Sequence, residues 1–149
     1  MKAAPFRITM TALLALAYMA TTQTARAQEP LLVNIPFAFT AGKMALPAGE
    51  YRVQKMGYNS PVLLIQSTDK GAATVVMSFS AQARAKQTYS KLVFHRYHDR
   101  YFLFQVWTVD SERGRELPKS PQEKEQGLAA RNEMPDQVTV VARLVVPKP

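Results

Sequence analysis

Cysteine is absent from the 149-residue chain. Thiol chemistry, thiolate metal sites and disulfide scaffolds are excluded with it. Stability has to come from packing and from sheet hydrogen bonds. Histidine occurs only at positions 95 and 98. There is no glycine-rich phosphate loop and no G-x-S-x-G nucleophile elbow. Basic residues outnumber acidic ones, 19 to 11, but no run gathers them into a patch, so nucleic acid is not an expected partner. Long internal repeats and low-complexity tracts are missing too. Neither a cofactor nor a metal is expected.

Long apolar runs are confined to the start. Lys2 and Arg7 precede an uncharged apolar stretch from Ile8 to about Ala20, and Ala25-Arg26-Ala27 follows. A positive n-region, an apolar h-region and a small-residue cleavage pattern predict a secretory signal peptide over residues 1–27. The run is shorter than the roughly 20 residues a membrane span needs, so no span is expected after cleavage. No cysteine follows the run, which excludes a lipid anchor there. The expected product is one domain, residues 28–149, exported to the periplasm or the extracellular space. Loss of Lys2, Arg7 and Arg26 leaves it moderately basic.

Strand signals dominate the rest. From Leu31 to Thr40, Val33, Ile35, Phe37 and Phe39 alternate with more polar or smaller residues, the period of a half-buried strand. Pro36 cannot donate to a ladder, which predicts an edge or a bulge there. Turns are read at Ala41–Lys43, at Leu46–Gly49, at Gly57–Ser60 and at Thr68–Gly71. Strands are expected at 51–56, 62–67, 72–80, 91–97, 101–109 and about 137–146. Ser120, Pro121 and Glu123 spell a helix start with a capping box, and the helical segment should run over about 120–131. Its apolar face is thin, Leu128 and Ala129, so it reads as a short surface helix. About seven strands and one helix predict a mainly β fold, a small antiparallel β-sandwich or barrel. An outer-membrane barrel fits less well, because its strands need longer lipid-facing alternation and one connection here is helical.

The stretch FHRYHDRYFLFQVW, Phe94 to Trp107, carries both histidines. A two-residue turn at His98-Asp99 pairs Tyr97 with Arg100, Arg96 with Tyr101, His95 with Phe102, Phe94 with Leu103, Val93 with Phe104 and Leu92 with Gln105. One face then holds Leu92, Phe94, Arg96, Tyr101, Leu103, Gln105 and Trp107. The other holds Val93, His95, Tyr97, Arg100, Phe102, Phe104 and Val106. His95 points from a face and His98 sits at the tip, so the two do not converge on a metal. No serine lies near His98-Asp99 to complete a triad. Both faces are largely apolar, so the hairpin is covered on both sides or covers something. The chain's own loops at Ala81–Tyr89 and Asp110–Pro118 are one such cover.

"LPAGEYRV" (Leu46–Val53) resembles a turn-and-strand phrase of many exported β-sandwich modules. More broadly, "VNIPFAFTAGKMALPAGEYRV", "KLVFHRYHDRYFLFQVWT" and "GRELPKS" resemble a group of small exported proteins of acidobacterial genomes, a group without assigned activity. The resemblance spans most of residues 28–149. It implies an exported β domain with a C-terminal helical segment and transfers no catalytic residue. His98 stands where a small tip residue is expected, which speaks against a general role for it.

The favoured expectation is an exported, non-enzymatic β domain that binds an apolar small molecule or an envelope partner. Its expected surface is Phe102, Phe104 and Trp107 with Tyr97, Arg100 and His95. A homodimer would serve the same surface. The rivals are a small envelope hydrolase built on His95 or His98 and a purely structural envelope protein.

Overall fold

The first predicted strand breaks where its proline lies. In the computed structural model, which describes residues 29–131 and 133–145, β1 (Leu31–Ile35) stops before Pro36 and β2 (Phe39–Ala41) starts after it. The break lets the two halves take different partners. β1 lies between β4 (Gly49–Lys55) and β11 (Asp136–Leu144), antiparallel to both. β2 pairs with β3 (Met44–Leu46) and, in parallel, with β9 (Arg100–Trp107). The signal peptide expected over residues 1–27, and Val146 at the end of the last strand, lie outside the described residues.

The remaining elements are β5 (Val62–Ser67), β6 (Ala73–Met77), β7 (Phe79–Gln82), β8 (Ser90–Tyr97), β10 (Arg113–Glu116) and one helix, α1 (Pro121–Ala129). The strand order is β3-β2-β9-β8-β11-β1-β4-β5-β6, and β10 pairs with both β9 and β7. Only Ser78 separates β6 from β7, so the path from β9 through β10 and β7 leads back to β6. The result is a nearly closed, barrel-like sheet, mainly antiparallel, with one short helix among the described residues.

Among the described residues eleven strands replace the expected seven. Pro36 splits one strand and Ser78 splits another. β3 and β10 are too short to show a period, and β10 (RGRE) is polar enough to read as loop. Both exist because a neighbouring edge needs partners for its backbone groups.

Alternation fills the interior. Leu31, Val33, Ile35, Phe39, Tyr51, Val53, Leu63, Ile65, Leu92, Phe94 and Leu103 form one buried cluster. Phe94 meets Phe37 edge to face at 5.0 Å and Phe39 at 5.5 Å, arrangements that favour aromatic pairs. Tyr51 is fully buried, and its hydroxyl donates to the Pro47 carbonyl at 2.6 Å, tying the turn before β4 to the core. Burial, and then the charge of Asp69, push that hydroxyl's pKa up. Gly49, with φ +155°, starts β4 in backbone space that a side chain rarely adopts.

The β8–β9 hairpin turns at His98-Asp99, with His98 at φ +56°. Pairing follows the expected register from Tyr97–Arg100 to Phe94–Leu103. A β-bulge between Val93 and Phe94 then shifts it, and Val93 faces Gln105, Leu92 faces Val106 and Lys91 faces Trp107. The extra residue, Phe104, moves the β9 residues beyond it to the opposite face, while β8 keeps its alternation. Val106 therefore joins the core cluster, and Gln105 and Trp107 belong to the second face, the reverse of the uninterrupted register.

Candidate functional site

Two places stand out, the second face of the hairpin and a cleft at the open seam of the sheet. The second face is covered by the chain itself. Tyr97, Phe102, Trp107 and His95 are buried, Phe104 is half-buried, and Arg100 is exposed near the tip with His98. Gly114 of β10 lies flat on Trp107, so close that a Cβ there would sit 2.5 Å from the ring carbon Cε3. Trp107 Nε1 donates to Gln105 Oε1 at 3.1 Å, and Gln105 Nε2 donates to Glu116 at 2.9 Å, which ties the ring to β10 through a polar chain.

The helix completes the cover by a route the sequence pattern did not show. Leu128 and Ala129, its thin apolar face, are exposed, and Glu123 is its one buried residue. Ser120 caps the helix, accepting from the Glu123 N–H at 3.1 Å, and Pro121 follows in the first turn as expected. The Glu123 carboxylate is directed at the sheet. Its Oε1 lies 2.7 Å from His95 Nδ1 and accepts from the Tyr97 hydroxyl at 3.2 Å. Hence the helix is seated by a polar bolt, and the expected capping box serves on its serine side.

His95 is stacked on Phe104, ring centres 3.9 Å apart, and side-chain exposure is 8% for His95 and 4% for Glu123. Burial, then the charge of Glu123 and its hydrogen bond, push the Tyr97 hydroxyl up to about 12, so Tyr97 stays a donor at neutral pH. Among the described residues no group of three or more His, Cys, Asp or Glu is placed to hold a metal ion. The Ser120 hydroxyl beside this cluster accepts from the Glu123 N–H as part of the helix cap. The arrangement fixes a helix, and none of its groups combines a nucleophile with open access.

The seam lies where the sheet path ends. β3 pairs only with β2, and β6 only with β5, among the described residues. Between them is a cleft of about 360 Å³ lined by Gly42, Lys43, Met44, Thr74, Val75, Val76, Met77, Leu117 and Pro118. Its size falls within the usual range for small-molecule sites. At one end the β2–β3 turn touches β6, because a Cβ on Gly42 would meet Val76 Cγ1 at 3.0 Å. Three large apolar side chains of the lining face solvent, Met44 (48%), Val75 (53%) and Met77 (57%). Phe79, at the start of β7, is 63% exposed and extends the same outward alternation. The lining contains one charge, Lys43, and no carboxylate.

None of these cleft residues was among those expected from sequence. A signal was available, because Ala73, Val75, Met77 and Phe79 form the more apolar face of their strand. That face would ordinarily be assigned to the core, yet the fold buries Val76 and Ser78 instead.

Fold and site together define a small, nearly closed β-barrel-like domain with an apolar cleft at its seam. No protein-family model, curated protein or solved structure matches the chain. No helix among the described residues is long and apolar enough to cross a membrane.

Proposed function

We propose that the chain is an exported, non-enzymatic binding domain that takes an apolar ligand in the cleft between β3 and β6. The carrying observation is the exposure of Met44, Val75 and Met77 around one cleft beside two strand edges that are unpaired among the described residues. Exposed apolar side chains scattered singly are ordinary, whereas a contiguous set lining a cleft marks a binding site. Methionine suits such a site because its unbranched thioether adapts to varied apolar shapes. The aromatic set Phe102, Phe104 and Trp107 supports the site indirectly, by holding β9 and β10 and thereby Leu117. Export rests on the leader pattern of residues 1–27.

The methionine methyl groups supply the test. Met44 and Met77 line the cleft, while Met56 and Met134 are exposed elsewhere. With methyl-labelled methionine, titration with dodecanoate should shift the Met44 and Met77 signals and leave Met134 in place. The Val75→Lys variant should fold normally and lose the shift. Absence of any shift at Met44 and Met77 removes the reading. Export is tested separately, by determining whether the protein recovered outside the cytoplasm begins at Gln28.

A further inference from the structure

We propose that the natural occupant of this cleft is an extended peptide strand of a partner protein, apolar at alternate positions and acidic at an end, which adds to the free edge of β6. The inference rests on the apolar-ligand reading above and specifies the occupant. Three observations lead to it.

The first is the edge. β6 (ATVVM) has a partner on one side only, among the described residues, and the same holds for β3 across the cleft. An unpaired edge presents a row of N–H and C=O groups that another strand can pair with. Natural edges are blunted by lysine, proline, bulges or inward charges. β6 has none of these: its five residues carry no charge and no proline, its register with β5 is unbroken from Val62–Met77 to Gln66–Ala73, and the β2–β3 turn meets it at the Val76 side chain.

The second is side-chain pattern. Val75 and Met77 are exposed on one face of β6, while Val76, on the other face, is buried in the core. A strand laid along β6 would place alternate side chains over Val75 and Met77. The others would point to the face that carries Val76, which shares the cleft lining with Leu117. An apolar chain such as a lipid tail could fill the cleft too, but it would cover the edge's backbone groups without pairing them, which is unfavourable.

The third is charge. Lys43 is exposed, is the only charge in the lining, and forms no salt bridge among the described residues. It fits a carboxylate at one end of the incoming strand. A second copy of this chain would meet the seam with its own net positive charge and, along β6, no acid to offset it.

The probe is the peptide acetyl-Asp-Val-Thr-Val-Thr-Val-Asp-amide, with an analogue N-methylated at alternate residues. The analogue keeps the side chains and loses half the backbone donors. The parent peptide should shift the Met77 methyl signal and slow amide exchange at β6. N-methylation should weaken binding by about tenfold or more, as expected for losing two or more hydrogen bonds. Lys43→Glu should weaken binding of the parent. Equal binding of the two peptides, or dodecanoate binding where the parent peptide does not, overturns strand addition and leaves the apolar-ligand reading standing. Failure of dodecanoate and peptide alike removes both. Sedimentation as a dimer whose β6 amides are protected without peptide makes a second copy the occupant and overturns the proposal.

Discussion

His95 Nδ1 and Glu123 Oε1 lie 2.7 Å apart, both side chains buried, one on the sheet and one on the helix. This contact, shared with Tyr97, joins α1 to the hairpin, since Glu123 is the helix's one buried residue. A buried polar pair is costly to break and often dispensable if both partners are replaced. Glu123→Ala should therefore destabilise the protein by about 3 kcal/mol, read as a lower urea midpoint, with faster amide exchange in α1. The double variant His95→Phe, Glu123→Leu should be more stable than Glu123→Ala. Additive losses in the double-mutant cycle would show that the pair is not coupled.

Tyr97 gives the protein an alkaline limit. Its hydroxyl is pushed up from 10.0 to about 12, first by burial and then by Glu123. A folded-state pKa above the unfolded one means that the folded protein holds the proton longer. The resulting stabilisation is fully present below pH 10 and is lost as pH rises from there through about 12. Unfolding free energy measured across that range should fall, and Tyr97→Phe should flatten the fall. Part of the slope should remain, because burial also raises the Tyr51 hydroxyl. An unchanged slope in Tyr97→Phe would assign the alkaline loss elsewhere.

Local chemistry made much of the fold legible. The turn at His98-Asp99, the hairpin register as far as Phe94–Leu103, β5, the Ser120 cap and the mainly β class all follow from short-range pattern. What escaped the pattern depends on neighbours distant in sequence. The bulge at Val93 exists within one pairing and leaves no mark on composition. β10 is polar and becomes a strand because β9 and β7 offer it backbone partners on both sides. Glu123 reads as a capping residue, and only the approach of β8 turns it toward His95. The cleft was hidden for the same reason, since which face of β6 is buried is decided by the seam and not by the strand.

Gly114 should tolerate no side chain. A Cβ there would lie 2.5 Å from Trp107 Cε3 and 2.7 Å from Cδ2, inside van der Waals contact with a buried ring. Gly114→Ala forces β10 away from β9 or tips the indole, at a cost of about 1–3 kcal/mol. Trp107 is the only tryptophan, so tryptophan fluorescence reports on the surroundings of this one ring. A red-shifted emission together with lower stability is expected. Wild-type emission and stability would mean that the ring is not packed against Gly114.

Ser78 should be the hinge post of the seam. Its N–H and its hydroxyl both donate to the Pro61 carbonyl, at 2.9 and 2.6 Å. Arg115 of β10 donates to the Ser78 hydroxyl from Nε at 2.8 Å and to its carbonyl from Nη2 at 2.7 Å. These bonds turn the chain from β6, paired with β5, into β7, paired with β10. Ser78→Ala removes the hydroxyl and leaves Arg115 Nε short of a partner, at a cost of about 1–3 kcal/mol. Amide exchange should rise in β7 and β10 and stay slow in β1, β4 and β11. Arg115→Lys should loosen the same strands, because an ammonium cannot reproduce the two-pronged contact. Arg115→Met should do so too, and should also raise the Lys55 pKa, which is lowered first by burial and then by the Arg115 charge. Loosening across all strands alike would make Ser78 a general stability residue and not the post on which the seam turns.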